Sequence, residues 1–412
     1  MDALHREFLH ILKTALLGEQ LTESALTEQQ LEAIAQLAQQ HKVLPLVFDT
    51  IHGLSGLSGT ALFAELRKKS RQQILLQTRK TYDFLQLYQA LRASGVTPLV
   101  VKGIVCRRLY PQPDLRPSSD EDLLIPPSQF ALCHEILTQH GLRTQATPAQ
   151  LETDYEIPYR GEESPLFIEL HKHLFPPESE AYGDLNRFFE NAWETAVEET
   201  VDGVAVATLA PTDHLFYLIV HALKHFLHSG FGIRQVCDIV LYANAWGSRV
   251  DWDTLMDRCR QIRADCFAAA IFRIGQNYLV FDPEKACCPA VWQQLQISEE
   301  NLLQDVLLGG VYGSSSMSRQ HSSNITLEAV AASKQNRRAG NALLGSLFPP
   351  ARKLKSRYPW LKKHPWLLPV AWVNRIFRYG LETRRSADSS AGEALKIGNQ
   401  RIALLEEYGI IE

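Results

Sequence analysis

The stretch Asp120-Glu-Asp122-Leu-Leu-Ile125 constrains this chain more than any other. Two carboxylates stand two residues apart at the head of an apolar, strand-like run. On a β-strand that spacing points both to one face, ~7 Å apart along the chain. Carboxylates that converge repel one another unless something positive lies between them. A pair of divalent ions ~3.5–4 Å apart is the familiar arrangement in phosphoryl and nucleotidyl transfer. A solvated acidic turn ahead of a strand is the plainer alternative, and these residues alone leave both open.

A strand here demands a sheet, and the pattern around it is consistent with one. Residues 2–94 read as helical. Leu4, Phe8, Ile11, Leu12 and Ala15 fall at helical spacing before Gly18, and residues 61–94 run without Gly or Pro until Gly95. The periodicity then shortens. Residues 98–102, 123–125, 154–160, 166–171 and 204–209 are strand candidates, with Gly161-Glu-Glu-Ser-Pro165 as a hairpin turn. Helices are expected at 104–110 and 128–140. From Pro211 the helical signal returns, at 212–228, 232–246, 251–263 and 265–279. The expected class is α+β: a small mixed sheet in a core at 95–210, between helical regions at 1–94 and 211–308. Residues 309–330, rich in Gly and Ser, read as a flexible connector, and 331–412 as a basic, aromatic helical tail.

Several classes are disfavoured. No apolar run approaches the ~20 residues of a spanning helix. Residues 1–7 lack a basic, then apolar, secretory pattern. The seven cysteines are scattered with no Cys-x-x-Cys, which points to reduced thiols and a cytoplasmic setting.

A third carboxylate, Glu169, lies inside the apolar run Leu166-Phe-Ile-Glu-Leu170. A charge there is costly unless it is paired, metal-bound or facing water at an edge. His171 shares its face by the period of two, either to meet substrate or as an ordinary hydrogen-bonded histidine.

These motifs together resemble the DNA polymerase beta-like nucleotidyltransferase superfamily. They more closely resemble its bacterial family of uncharacterised nucleotidyltransferases. The likeness is carried by Leu99-Val-Val-Lys-Gly103, Leu109-Tyr-Pro111, Arg116 with Asp120-x-Asp122-Leu-Leu-Ile, and Ile168-Glu-Leu-His171. It continues through His221-Ala-Leu-Lys-His225, Arg234-x-x-x-Asp238 and Asp251-Trp252, over about residues 95–280. Leu347-Phe-Pro and Pro365-Trp-Leu-Leu-Pro also look like the tail of some members. The resemblance implies a nucleotidyltransferase core in which Asp120, Asp122 and Glu169 converge on one cleft. They would hold Mg2+ or Mn2+, with a nucleoside triphosphate as substrate and an acceptor the sequence does not name. Glu169 would also promote deprotonation of the attacking hydroxyl. Two departures stand out. Lys102-Gly103-Ile104 replaces the superfamily's Gly-Ser, so no hydroxyl grips a phosphate there. Glu121 also occupies a position that is commonly apolar, and it points away from its acidic neighbours towards the core side.

Other residues are candidates for holding the triphosphate. Gly103 would let backbone approach it, and Lys102 would add charge or simply end a strand. Arg116 would clamp phosphate bidentately, or pair with Asp114 or Glu121. Ser118 and Ser119 are phosphate contacts or turn residues. His214, His221, His225 and His228 form one helical stripe. His221 and Lys224 are read as a cleft wall, a zinc pair at His221 and His225 and a set of core histidines being the alternatives. Arg234 and Asp238, four apart, suggest an intrahelical pair.

Charge is uneven. The chain carries 42 Lys+Arg against 46 Asp+Glu, yet residues 334–385 are +12, leaving −16 on the other 360. With Trp360, Trp366 and Trp372, this segment suits nucleic acid, an anionic membrane surface or the chain's own acidic body. Packing on the body is the expectation, because three tryptophans are many to leave exposed. Besides a nucleotidyltransferase of this kind, two alternatives fit the sequence: a non-catalytic nucleotide-binding scaffold, and a toxin- or antitoxin-type enzyme modifying RNA or protein.

Overall fold

The computed structural model describes residues 1–23, 26–54, 58–310, 317–334, 358–362, 364–374 and 391–411. The N-terminal region is helical: α1 (Ala3–Leu16), α2 (Glu28–Gln40), α3 (Leu44–Ile51) and α4 (Ala61–Ala93). Each start has a local cause where the sequence supplies one. The Asp2 side chain accepts the His5 N–H, Thr27 and Gln30 form a reciprocal capping box, and Thr60 caps α4.

The core then alternates strand and helix: β1 (Leu99–Val100), α5 (Ile104–Arg107), β2 (Glu121–Leu124), α6 (Phe130–Gln139), β3 (Leu142–Arg143), α7 (Pro148–Thr153), β4 (Glu156–Gly161) and β5 (Phe167–His171). The five strands form one mixed sheet in the order β1-β2-β5-β4-β3. β2 and β5 run parallel, and the other pairs are antiparallel. The expected α+β class with a small mixed sheet is what the chain adopts. A separate hairpin, β6 (Val197–Val201) and β7 (Val204–Thr208), docks beside β1 through the Thr208 hydroxyl, which donates to Val100 O at 2.6 Å. Only its second strand was expected.

Register decides what each face of the sheet does. Asp122 lies opposite Glu169, Leu124 opposite His171, and His171 opposite Glu156 across β4. By the period of two these side chains share one face. Leu123, Ile168 and Leu170 take the other face and pack with Phe84 and Tyr88 of α4 and Ile136 of α6. The Tyr88 hydroxyl donates to Pro98 O and accepts from Ala207 N, tying α4 to both strand systems.

The remaining helices are α8 (Pro211–His228), α9 (Ile233–Trp246), α10 (Trp252–Gln261), α11 (Asp265–Tyr278), α12 (Ala290–Gln294), α13 (Glu300–Gly309), α14 (Met317–Lys334) and α15 (Ala391–Glu407). They join the N-terminal helices in one large apolar cluster. The supposed connector at 309–330 is thus mostly helical, since α14 begins at Met317 and packs on α8 and α15. All seven cysteines are free thiols, and no helix among the described residues is long and apolar enough to cross a membrane.

The expected packing of the tail tryptophans needs correction. Trp360 and Trp372 are half-buried in a small cluster of their own with Tyr358, Leu361 and Ala371, separate from the main core. Trp366 is 73% exposed. Lys334 does meet the body, 2.6 Å from Asp184. Most of 334–385, with its basic residues, lies outside the described residues.

Two buried histidines make stability depend on pH. His41 is wholly buried, with Nε2 3.2 Å from Leu307 O and Nδ1 accepting the Ile233 N–H, so it must be neutral with its proton on Nε2. His214 is wholly buried beside Tyr242. Burial pushes each down to about 4. Between pH 6.5 and 4 the unfolded chain binds these protons and the native chain does not, so stability falls as pH falls through that window. At pH 5 each histidine should cost about 2 kcal/mol relative to pH 7. Other buried groups titrate over the same range, so the check compares the parent with His41→Gln by urea unfolding at pH 7 and pH 5: the variant should lose about 2 kcal/mol less than the parent on going to pH 5, and equal losses would refute it.

Candidate active site

The shared face of β2 and β5 floors a cleft of about 380 Å³, with α8 along one wall. Asp122 is almost fully buried. Its Oδ2 is 2.7 Å from Lys102 Nζ, and its Oδ1 is 3.2 Å from His171 Nε2. A carboxylate can only accept, so His171 carries its proton on Nε2 and donates it. His171 Nε2 lies 3.9 Å from Glu169 Oε2, and Nδ1 lies 3.7 Å from Glu156. Ligand atoms of Asp122, Glu169 and His171 fall within 4.8 Å of one another. Asp120, just ahead of β2, lines the same cleft but is not part of that tight group.

The electrostatics follow from this crowding. Burial alone would raise Asp122, but Lys102 and then the His171 hydrogen bond overrule it and hold the carboxyl well below its usual range. Glu169 goes the other way. Burial, then repulsion by Asp122, Asp120 and Glu156, pushes it up to about 9. Two carboxylates side by side with divergent proton affinities are a frequent mark of an acid–base or metal site.

The donor set fits a divalent cation. Two adjacent carboxylates supply hard oxygens for Mg2+ or Mn2+, and an imidazole nitrogen suits Mn2+ better than Mg2+. With Nε2 donating to Asp122, His171 acts as an orienting group for that carboxylate. Lys102 supplies the positive charge at Oδ2 here, where a cation would compete with it.

The other candidates separate. On α8, His221 and His225 line the cleft with their Nε2 atoms 3.3 Å apart, and Lys102 Nζ is 3.3 Å from His221. Burial, then Lys102, lowers both histidines, His225 to about 3. Lys224 also lines the cleft, its ammonium 5.8 Å from the Tyr155 ring centroid. His228 instead meets the Tyr182 hydroxyl at 2.6 Å, and His214 sits in the core. The stripe is therefore half cleft wall, half structure.

Arg116 does not face the cleft. It is 2% exposed, and its Nε and Nη2 both donate to the Asp238 carboxylate, which also accepts from the Tyr110 hydroxyl. The expected phosphate clamp is a buried strut, and the expected Arg234–Asp238 pair does not form. Arg234 donates instead to Pro117 O. Gly103 is also corrected as a phosphate approach. The Ile104 N–H behind it is taken by Glu121 Oε2 at 2.7 Å, and Glu121 is further held by Arg107 and Ser118. A Cβ at Gly103 would stand 1.8 Å from that oxygen, at φ +55. Gly103→Ala should therefore cost at least about 3 kcal/mol. An unfolding midpoint equal to the parent's would contradict this.

Sequence reasoning missed Glu156 and Lys42, both of which line the cleft. Glu156 opens a strand that was expected, two residues from a proline, and only the antiparallel register aims it inward. Lys42 follows a helix end and gives no local signal. Its ammonium donates to the Ser119 hydroxyl at 2.5 Å.

No curated protein and no solved structure matches the chain. A family model described as an uncharacterised nucleotidyltransferase matches residues 27–279. That span takes in α2 to α11, and with it every residue placed in the cleft above. The chain belongs to this nucleotidyltransferase family.

Proposed function

We propose that the chain transfers a nucleoside monophosphate from a nucleoside triphosphate to an acceptor hydroxyl, releasing pyrophosphate. The observation that carries this reading is the parallel register that sets Asp122 beside Glu169, with Asp120 leading into the same cleft. Asp120, Asp122 and Glu169 are the residues assigned to hold Mg2+ or Mn2+. When bound, the ion supplies positive charge to the reacting phosphate and acidifies the attacking hydroxyl.

The chain's own groups do the rest. The acceptor oxygen forms a bond to the α-phosphorus, and the α–β bridging bond breaks with its electron pair going to pyrophosphate. With a divalent cation held beside it, the Glu169 carboxyl would shed the proton that burial and its acidic neighbours otherwise hold up to about 9, and the carboxylate would then take the hydroxyl proton. His171 fixes the rotamer of Asp122 through its Nε2–H. Lys102 and Lys224 offset phosphate charge from two sides of the cleft. The buried floor holds these groups in place before substrate arrives.

The non-catalytic alternative has one observation in its favour, the Lys102 ammonium already neutralising Asp122. Incubation with each α-labelled triphosphate, Mg2+ or Mn2+ and bacterial lysate separates the two. Transfer predicts covalent label on a macromolecule or metabolite, lost in Asp122→Asn. Nucleotide binding without label under any combination would leave the scaffold reading standing.

A further inference from the structure

The small cluster around Tyr358 leaves one apolar face uncovered. Two 3-10 turns, Pro359–Lys362 and Pro365–Leu367, lead into a helical stretch at residues 368–374. The Tyr358 hydroxyl donates to Asn374 Oδ1 at 3.2 Å and ties the two ends of the unit together. Leu368, Ala371 and Trp372, spaced i, i+3 and i+4, pack with Tyr358, Trp360 and Leu361. The opposite side carries Pro369, Val370 and Val373, with Trp366 just ahead of them, and all four are exposed. For Trp366, Val370 and Val373 the exposure is 73%, 55% and 66%.

A helix lying between a protein and water turns polar side chains outward. This stretch is apolar on both sides, and residues 365–373 hold no charged side chain. Those nine residues are too few to span a bilayer, which takes ~20, but they suffice to lie along its surface. Positive charge flanks them. Residues 351–378 contain eight Lys or Arg and no Asp or Glu, six of the eight before the apolar run and two after it.

The two properties together select the partner. Basic residues alone suit any polyanion. Single-stranded nucleic acid adds stacking on flat rings, and of the four exposed residues only Trp366 has one. Val370 and Val373 gain little from a base or a phosphate and much more from acyl chains. A second copy of this chain would bring the same positive charge to the face and be repelled. An anionic bilayer offers negative charge at its surface and an apolar boundary just beneath it.

We propose that Trp366, Val370 and Val373 form a docking face for an anionic lipid surface. The three side chains enter the boundary between headgroups and acyl chains, a depth that indole rings favour. The Lys and Arg residues flanking them in sequence supply attraction to the lipid phosphates. The attachment is peripheral and reversible, and it does not depend on the proposed transfer.

The test mixes the full chain with vesicles of phosphatidylcholine alone, or of phosphatidylcholine and phosphatidylglycerol in equal parts, and reads the bound fraction by flotation. The parent should bind the mixed vesicles at least about 10-fold more tightly than the neutral ones, and less tightly as salt rises. Trp366→Gln, Val370→Gln and Val373→Gln, made together, place a better helix former than valine at exposed positions. That triple variant should bind the mixed vesicles at least about 10-fold more weakly, with a melting temperature near the parent's. Brominated acyl chains should quench the parent's tryptophan fluorescence, and Trp366→Phe should reduce the quenching. A parent without preference for the mixed vesicles, or a folded triple variant that binds them as the parent does, would overturn the proposal. Salt-sensitive binding of a single-stranded RNA homopolymer with no vesicle binding would overturn it in favour of nucleic acid. A dimer that the triple variant loses, again with no vesicle binding, would overturn it in favour of a second copy.

Discussion

Glu169→Gln is expected to reduce nucleotidyl transfer by about 10³-fold or more while leaving the protein at least as stable as the parent at pH 8. The loss in rate combines a missing metal ligand with a missing base. The stability effect comes from crowding. In the native chain, burial and the neighbouring carboxylates hold the Glu169 proton up to about pH 9, whereas the unfolded chain releases it near 4.5, the ordinary glutamate value. Between those values the native state binds more protons than the unfolded state. The contribution of Glu169 is therefore full below pH 4.5 and is lost as pH rises towards 9. Glutamine is neutral throughout and carries no such slope. The variant should gain on the parent by a few kcal/mol between pH 5 and pH 8. Mn2+ should narrow that gap at pH 8, because a cation relieves the same repulsion. Urea unfolding of both proteins at the two pH values, with and without Mn2+, reads all of this. Parallel pH profiles would remove the electrostatic account, and retained transfer would remove Glu169 from the chemistry.

What the sequence revealed was whatever depends on short spacing. Asp122 follows Asp120 by two and His171 follows Glu169 by two, so each pair's shared face could be read from the pleat alone. The step from two pairs to one site needed the parallel register of β2 with β5, across 47 residues, and no local signal carries that. The Glu121 anomaly was legible as an oddity, but its meaning was not. Its carboxylate reaches the opposite face, fills the turn at Gly103 and pairs with Arg107. A motif glycine that looked like room for a phosphate is room for a side chain.

One miss had a usable signal. Asp202 and Gly203, at φ +46 and +81, form the tight turn between β6 and β7, and Asp-Gly between β-branched runs is a strong hairpin mark. The long-range ion pairs had none. Arg234 and Asp238 satisfy the helical i, i+4 rule, which is worth only ~0.2–0.5 kcal/mol on a helix surface. Buried bidentate pairing of Asp238 with Arg116 outcompetes it, because a guanidinium enclosed in the core has far more to lose from being unpaired. Lys42 and Glu156 reach the site only through tertiary packing, so nothing in their local sequence distinguishes them from surface charges.

Arg116 and Asp238 give the second large effect. Asp238→Ala should destabilise the protein by about 3–5 kcal/mol. The guanidinium it leaves behind is 2% exposed, cannot give up its charge and loses both of its hydrogen-bond acceptors, while the Tyr110 hydroxyl loses its own. Replacing both partners by apolar groups removes that penalty, so Arg116→Met with Asp238→Leu should be more stable than Asp238→Ala alone. Urea midpoints of the single and double variants decide it. A single variant costing less than about 1 kcal/mol would mean that water reaches the pair. The double variant also separates a strut from a phosphate clamp. Arg116 adjoins the loop at residues 117–120, so losing it should disturb placement of Asp120 and lower kcat while KM for the triphosphate changes little. A KM raised about 10-fold with kcat intact would instead put the guanidinium on the substrate.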